Sequence, residues 1–218
     1  MSRPYILGVV SHKGGTGRTT TALSLAWALA RAGREISFMD GDPQRSASLM
    51  ALDAHGQCHW PHIHFFAGLE ALGEELPGDL AIIDSPPLTD RTSRPVLHLA
   101  DGLLLTCLAD PLSIRTTPAA ARVIESAREI NPGLNLLGVL LCIYSAQDAV
   151  QEAMMRRLKE SHQDIVLEPA IPFQPEVRDW PLHPGAPPPE GTVADAFAVL
   201  AGRLNPLTRS RQAEALAN

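Results

Sequence analysis

Cysteine, aromatic residues, positive charge and long apolar runs are all scarce in this sequence of 218 residues. The three cysteines, Cys58, Cys107 and Cys142, are an odd number, which argues against a disulfide framework and favours a reducing compartment. The longest apolar runs, 97–109 and 136–143, are shorter than the roughly 18 residues that a membrane helix needs. With 18 Lys and Arg against 24 Asp and Glu, the net charge of −6 argues against a wholly basic nucleic-acid clamp but allows a local basic patch.

Apolar runs alternate with helical patterns along the whole chain. The pattern predicts strands over 5–10, 35–39, 63–66, 80–83, 102–108 and 136–143, and helices over 19–32, 68–76, 117–130, 146–161 and 192–204. Strands that are apolar throughout and separated by helices predict an α/β fold, a mostly parallel twisted sheet with helices on both faces. We expect a single domain over 1–204, a flexible C-terminal tail over 205–218, and no signal peptide, which favours a cytoplasmic location.

A glycine-rich loop connects the first predicted strand to the first predicted helix. It reads Lys13-Gly14-Gly15-Thr16-Gly17-Arg18-Thr19-Thr20. Its glycines let backbone N–H groups turn inward, and the following helix adds the positive end of its dipole, so the loop can hold an anion. Two cations and a hydroxyl suited to ligating Mg²⁺ complete a phosphate-binding loop, which makes the predicted fold P-loop NTPase-like.

This loop resembles the deviant Walker A motif of the ParA/MinD family of partitioning and positioning ATPases. Further elements of the family follow in the same order: Asp40-Gly41-Asp42-Pro43-Gln44, Ile82-Ile83-Asp84-Ser85-Pro86-Pro87, Leu137-Gly138-Val139-Leu140-Leu141 and Ile171-Pro172-Phe173-Gln174. The resemblance covers roughly residues 4–204, is most specific in the first 90, and is closest to the short ParA-type proteins.

The resemblance implies an ATP-dependent homodimer with slow, partner-stimulated hydrolysis. ATP would lie on residues 13–20, and the signature Lys13 would reach the partner's nucleotide. Asp42 would position the attacking water, and Asp40 and Asp84 would organise Mg²⁺ together with Thr19. Pro172 and Gln174 would lie beside the adenine. For the three aspartates, capping or turn formation is the alternative.

The chain departs from the family pattern at two positions. Arg18 stands where the family has a lysine, and its larger planar guanidinium prefers bidentate contacts. We therefore expect nucleotide binding with slow turnover, so Arg18 belongs with Lys13, Asp42 and Asp40 among the candidate catalytic residues. Phe173 stands where many partition ATPases carry a basic residue associated with DNA contact.

The leading hypothesis is a ParA-like ATPase that binds DNA without sequence preference and positions a plasmid, a chromosome region or a protein assembly. Such a protein would be nucleoid-associated and activated by a ParB-like or other partner. The candidate DNA contacts are Arg156, Arg157, Lys159, Arg203, Arg209 and Arg211. The end of the chain, 209–218, has too little apolar area for the membrane helix of the MinD type. The alternatives are an ATP-dependent ligase or synthetase on the same fold, and a degenerate nucleotide-binding scaffold.

Two further features allow competing interpretations. His55, Cys58, His59, His62 and His64 fall within ten residues, but their spacing matches no standard zinc site, which favours a solvated loop and strand edge. Trp180 either covers the nucleotide or anchors the proline-rich segment 181–190, and we favour the anchor.

Overall fold

The computed structural model describes residues 3–73 and 75–217, without the side chains of residues 162–163 and 207–217. Within that range it contains seven strands: β1 Tyr5–Ser11, β2 Ile36–Asp40, β3 Ile63–Phe66, β4 Leu80–Asp84, β5 Gly102–Leu108, β6 Asn135–Cys142 and β7 Val166–Leu167. They form one parallel sheet in the order β3-β2-β4-β1-β5-β6-β7. The predicted parallel sheet and the six predicted strands are confirmed.

Helices cover both faces of the sheet, as the apolar strands require. They are α1 Arg18–Arg31, α2 Ser46–Ala51, α3 Arg94–Leu99, α4 Pro111–Ala127, α5 Ala149–His162, α6 Pro175–Asp179 and α7 Thr192–Ala217. Helices α1, α2 and α7 bury their apolar side chains against one face, and α3, α4 and α5 bury theirs against the other. No helix in the described ranges is long and apolar enough to cross a membrane.

The topology determines where a ligand can bind. Strand β1 lies in the middle of the sheet, hydrogen-bonded to β4 on one side and to β5 on the other. The strand order therefore reverses direction at β1. In open parallel sheets the ligand crevice lies at the carboxyl ends of the strands where the order reverses. Asp40 and Asp84 are register partners at the ends of β2 and β4, so both carboxylates face this crevice edge.

The structure corrects two predicted helix boundaries. Helix α4 begins at Pro111 and not near residue 117, because Asp110 caps it by accepting hydrogen bonds from the backbone N–H groups of Leu112 and Ser113 at 2.9 Å each. Pro118 is therefore inside the helix and not in its first turn. Helix α7 continues past the predicted end at residue 204 to Ala217.

Shorter elements account for the remaining differences. The segment 68–76 contains a 3₁₀ turn over Glu70–Gly73 in place of the predicted helix. The sequence did not predict α2, α3, α6 or β7, each of which has six residues or fewer. Such short elements carry too few apolar positions to show a helical or strand period.

Candidate nucleotide site

The loop between β1 and α1 has the backbone geometry of an anion cradle. Gly15 and Gly17 have φ of 77° and 78°, in the left-handed region that favours glycine. A Cβ on Gly17 would also lie 3.1 Å from the Cβ of Cys142. Gly17 caps α1, a helix of 14 residues whose free N–H groups therefore point toward the loop. The predicted order of strand, loop and helix is confirmed, and the backbone fits a phosphate group.

The Arg18 side chain contacts two of the acidic side chains. Its guanidinium lies 2.5 Å from Asp42 Oδ2 through Nη2 and 3.2 Å from Asp84 Oδ1 through Nε. Its Nη1 donates a hydrogen bond of 2.9 Å to Ser11 Oγ. The side chain is 9% exposed, so two salt bridges and a hydrogen bond hold it in a largely water-free position. Arg18, which stands where the family has a lysine, therefore lies at the centre of the polar contacts of the site.

Asp40 is engaged by the protein itself. Its Oδ2 accepts hydrogen bonds of 2.7 Å from both the backbone N–H and the hydroxyl of Ser48 in α2. Its Oδ1 accepts a longer bond of 3.3 Å from the backbone N–H of Asp42. These bonds fix the loop between β2 and α2, so the turn-forming alternative describes the contacts of Asp40 here. Asp42 accepts from Gln44 through Oδ1 and pairs with Arg18 through Oδ2.

Asp84 offers the oxygen best suited to a divalent cation. It is fully buried at the end of β4, and its Oδ2 makes no hydrogen bond to any described residue. Burial raises the pKa of Asp84 to about 7, while the charge of Arg18 and the Thr19 hydroxyl act in the opposite direction. A cation on Oδ2 would favour the ionised carboxylate, so Asp84 and the nearby Thr19 hydroxyl fit the hard oxygen ligands that Mg²⁺ prefers.

Lys13 lies close to the start of α4, where it lines a small pocket with Ser113 and Thr116. It is partly exposed, and no carboxylate of a described residue comes within salt-bridge distance of it. The pKa of Asp110 is lowered because hydrogen bonds from Ser113 and Leu112 and the charge of Lys13 outweigh the effect of its desolvation. The two cations of the loop are thus separated, with Arg18 bound inward and Lys13 near the N-terminus of α4.

An apolar cavity of about 180 Å³ adjoins the loop. Pro172 and Gln174, which we expect beside the adenine, line it together with Phe173, which is 50% exposed. The amide of Gln174, however, is directed at the start of α7. Its Nε2 donates to the backbone oxygen of Glu190 at 2.9 Å, and its Oε1 accepts from the backbone N–H of Val193 at 3.0 Å. Gln174 thus shapes the cavity wall while its polar atoms fasten α7.

The interpretation of Trp180 as an anchor is confirmed. Trp180 is 2% exposed, stacks on Trp60 at a centroid distance of 6.1 Å, and donates a hydrogen bond of 2.9 Å to the backbone oxygen of Ala186. Trp60 donates in the same way to Gly185 at 3.0 Å. The proline-rich segment is therefore fastened to the body of the domain by two indoles.

The histidine-rich segment forms hydrogen bonds with carboxylates. His59 contacts Asp53 at 2.8 Å, while His62 and His64 contact the two oxygens of Glu35 at 2.6 Å and 3.3 Å. In the part of the chain that the structure describes, no group of three or more His, Cys, Asp and Glu side chains is arranged to hold a metal ion.

The candidate DNA contacts on α5 are not equivalent. Arg156 is 3.8 Å from Glu152, and Lys159 pairs with Glu168, so neighbouring acids offset both cations. Arg157 has no such partner among the described residues and lines a cleft between α4 and α5, where Arg115 is the other cation. Arg209 and Arg211 lie outside the described side chains.

The sequence did not predict a role for two hydroxyl groups of the site, those of Ser11 and Thr106. Ser11, at the end of β1, donates to the backbone oxygen of Lys13 at 2.9 Å while accepting from Arg18. Thr16 and Thr106 place their hydroxyls 2.9 Å apart, which joins the loop to β5. Only Ser11 offered a signal in the sequence, since it lies two residues before Lys13, where the loop begins. Thr106 is its register partner on β5, which only the folded sheet shows.

Residues 7–184 match the family model described as the CobQ/CobB/MinD/ParA nucleotide binding domain. The chain is 23% identical over 209 residues to the chromosome-partitioning ATPase Soj of Thermus thermophilus, covering 80% of this chain and 84% of Soj. The cell division ATPase MinD of Pyrococcus furiosus superimposes with a TM-score of 0.73 at 23% identity, covering 95% of this chain and 100% of MinD. Cobyrinic acid a,c-diamide synthase of Mycobacterium smegmatis with a bound ATP analogue and magnesium gives a TM-score of 0.74 at 22% identity, covering 92% and 94%. These two structural similarities establish the fold.

Proposed function

Because the chain belongs to the CobQ/CobB/MinD/ParA nucleotide-binding family, we propose that it is an ATP-switched positioning ATPase. In this proposal it binds ATP and Mg²⁺, dimerises in the ATP state, and returns to the monomer after slow hydrolysis stimulated by a partner protein. The cargo is a plasmid, a chromosome region or a protein assembly.

The observation that carries the proposal is the separation of the two loop cations. Arg18 is neutralised by Asp42 and Asp84, whereas Lys13 keeps an unpaired charge among the described residues, near the surface of the loop. A partly exposed ammonium beside a phosphate cradle is well placed to contact the phosphates of a second protomer. Such a charge-assisted contact forms only when nucleotide is bound, which makes dimerisation dependent on ATP.

Nucleotide would be held by the backbone N–H groups of the loop and by the apolar cavity. The positive-φ glycines and the start of α1 fit the phosphates, and the walls at Pro172 and Phe173 fit the flat apolar faces of a base. Thr19 and Asp84 would hold Mg²⁺, which supplies neutralisation of phosphate charge when bound.

Hydrolysis would depend on Asp42 as the residue that orients the attacking water. Its Oδ2 accepts a hydrogen bond from Arg18 and its Oδ1 accepts one from the backbone N–H of Gln44, so an attacking water would compete with these donors for the carboxylate. A carboxylate engaged by a cation is also a weaker acceptor. This contact supports slow basal turnover, with a partner protein acting by rearranging the site.

We propose that the ATP-bound form binds DNA through phosphate contacts and is thereby associated with the nucleoid in the cytoplasm. Arg157 is the strongest candidate on α5, because Arg156 and Lys159 are offset by acids. Filter binding of random-sequence DNA over a salt series, with ATP or ADP, tests this. Arg157→Ala should lower the affinity and reduce the salt slope by about 1, and the matched Arg156→Ala should have a smaller effect.

The same experiment can reject DNA binding. Equal affinity with ATP and ADP, or no binding at low salt, would indicate a cargo that is not tethered to the nucleoid. Neither result would test ATP-dependent dimerisation, because the experiment measures only the affinity for DNA.

A further inference from the structure

We propose that Arg18 is an internal counter-cation of Asp42 and Asp84 that competes with a divalent cation for Asp84. The inference deepens the proposed function, since it concerns how the same site is held closed before nucleotide and Mg²⁺ bind. In this proposal Arg18 opposes the binding of the divalent cation and positions the Asp42 carboxylate. It does not act only as a phosphate ligand.

The geometry of the guanidinium suits this role. Its three nitrogens contact three different groups, namely Asp42 at 2.5 Å, Asp84 at 3.2 Å and Ser11 at 2.9 Å. Guanidinium donors are spread over a rigid plane, whereas a lysine carries all its donors on one nitrogen. Arginine can therefore bridge carboxylates from separate elements, Asp42 in the loop after β2 and Asp84 at the end of β4.

The burial of the acids gives the contact its strength. The Asp84 side chain has 0% exposure, and the side chains of Asp42 and Arg18 each have 9%. Buried carboxylates need a positive partner because desolvation strongly disfavours an uncompensated charge. Arg18 supplies that charge in the structure, and a divalent cation bound to the carboxylates would supply it in the same way.

Arg18 and a divalent cation cannot both bind Asp84 without a cost in free energy. Asp84 Oδ1 is engaged by Arg18, and the neighbouring Oδ2 is the oxygen that makes no hydrogen bond to a described residue. A divalent cation on Oδ2 would lie within a few ångströms of the guanidinium, and like charges at that distance repel strongly in a buried site. Binding of a divalent cation is therefore linked to release of Arg18.

The test measures binding of Mn²⁺ alone to the nucleotide-free protein by electron paramagnetic resonance. Arg18→Lys should bind Mn²⁺ about tenfold more tightly than the unmodified protein, because one charge-assisted contact no longer competes. Arg31→Lys, on the same helix and paired with the exposed Glu190, is the matched control and should bind as the unmodified protein does. Equal Mn²⁺ affinity in Arg18→Lys and the unmodified protein would overturn the proposal.

A second variant keeps the test decisive if Arg18→Lys does not fold. Ser11→Ala removes one tether of Arg18 and leaves every carboxylate in place, so Mn²⁺ affinity should rise by about threefold. An unchanged or lower affinity would again count against the competition. Failure of the proposed function is distinguishable, because a titration with a fluorescent ATP analogue reports nucleotide binding separately and does not enter the Mn²⁺ comparison.

Discussion

Replacing Gln174 by alanine should destabilise the protein more than it weakens ATP binding. The amide donates to the backbone oxygen of Glu190 at 2.9 Å and accepts from the backbone N–H of Val193 at 3.0 Å and from the Thr192 hydroxyl at 3.3 Å. These bonds fasten the first turn of α7, and losing a comparable helix cap costs about 1–2 kcal/mol. For a chain of this size each kcal/mol corresponds to about 2–4 °C in Tm, so the expected fall is about 2–8 °C.

Two measurements separate this structural role from a role in reading the base. Circular dichroism melting without nucleotide should show the fall in Tm, and titration with a fluorescent ATP analogue should show less than about a threefold change in Kd. Gln147→Ala is the control, since Gln147 is exposed and its side chain accepts only from the Ser145 hydroxyl among the described residues. An unchanged Tm together with a Kd about tenfold higher would refute the reasoning and make Gln174 a base-reading residue.

Three further predictions concern the loop and its acids. Thr19→Ala should raise the Kd for ATP about tenfold in Mg²⁺ and leave it unchanged in EDTA, and equal effects in both buffers would exclude Thr19 as a metal ligand. Arg18→Lys should increase steady-state hydrolysis about 10- to 100-fold by releasing Asp42, with a smaller change in Kd, and slower turnover would make Arg18 a working catalytic group. Because the folded-state pKa of Asp84 is raised to about 7, its protonated form stabilises the fold, and this contribution is fully present below the unfolded pKa. The free energy of unfolding in EDTA, taken as the difference between the unmodified protein and Asp84→Asn, should therefore fall as pH rises toward and through about 7, and a difference that does not change with pH would contradict this.

The fold was largely predictable because its strongest signals are local. Apolar strands separated by amphipathic helices require a covered parallel sheet, and the glycine-rich loop could be placed between β1 and α1 from its sequence alone. The start of α4 was missed although the signal was present. Asp110 and Pro111 are a typical cap and first residue of a helix, but the prediction placed Pro118 in the first turn and so started the helix six residues too late.

The composition of the site was predictable, but its contacts were not. The positions of Asp42 and Asp84 after two strands indicate that they meet at one edge of the sheet. Nothing in the local sequence indicates that Arg18 pairs with them, because that pairing depends on the burial of both acids in the folded protein. The hydrogen bond between Gln174 and the start of α7 likewise depends on the folded chain, because it joins residues that are 19 positions apart.

The central claim, an ATP-dependent dimer joined through Lys13, is tested most directly by multi-angle light scattering. With ATP or a slowly hydrolysed analogue we expect a mass twice the 23.4 kDa of the chain, and with ADP we expect the monomer. Lys13→Ala should remain monomeric with ATP while still binding nucleotide, and replacement of the chain's other lysine, Lys159→Ala, should dimerise normally. A monomer in the unmodified protein with saturating ATP, or a dimer that survives Lys13→Ala, would contradict the claim and favour a ligase or synthetase on the same fold.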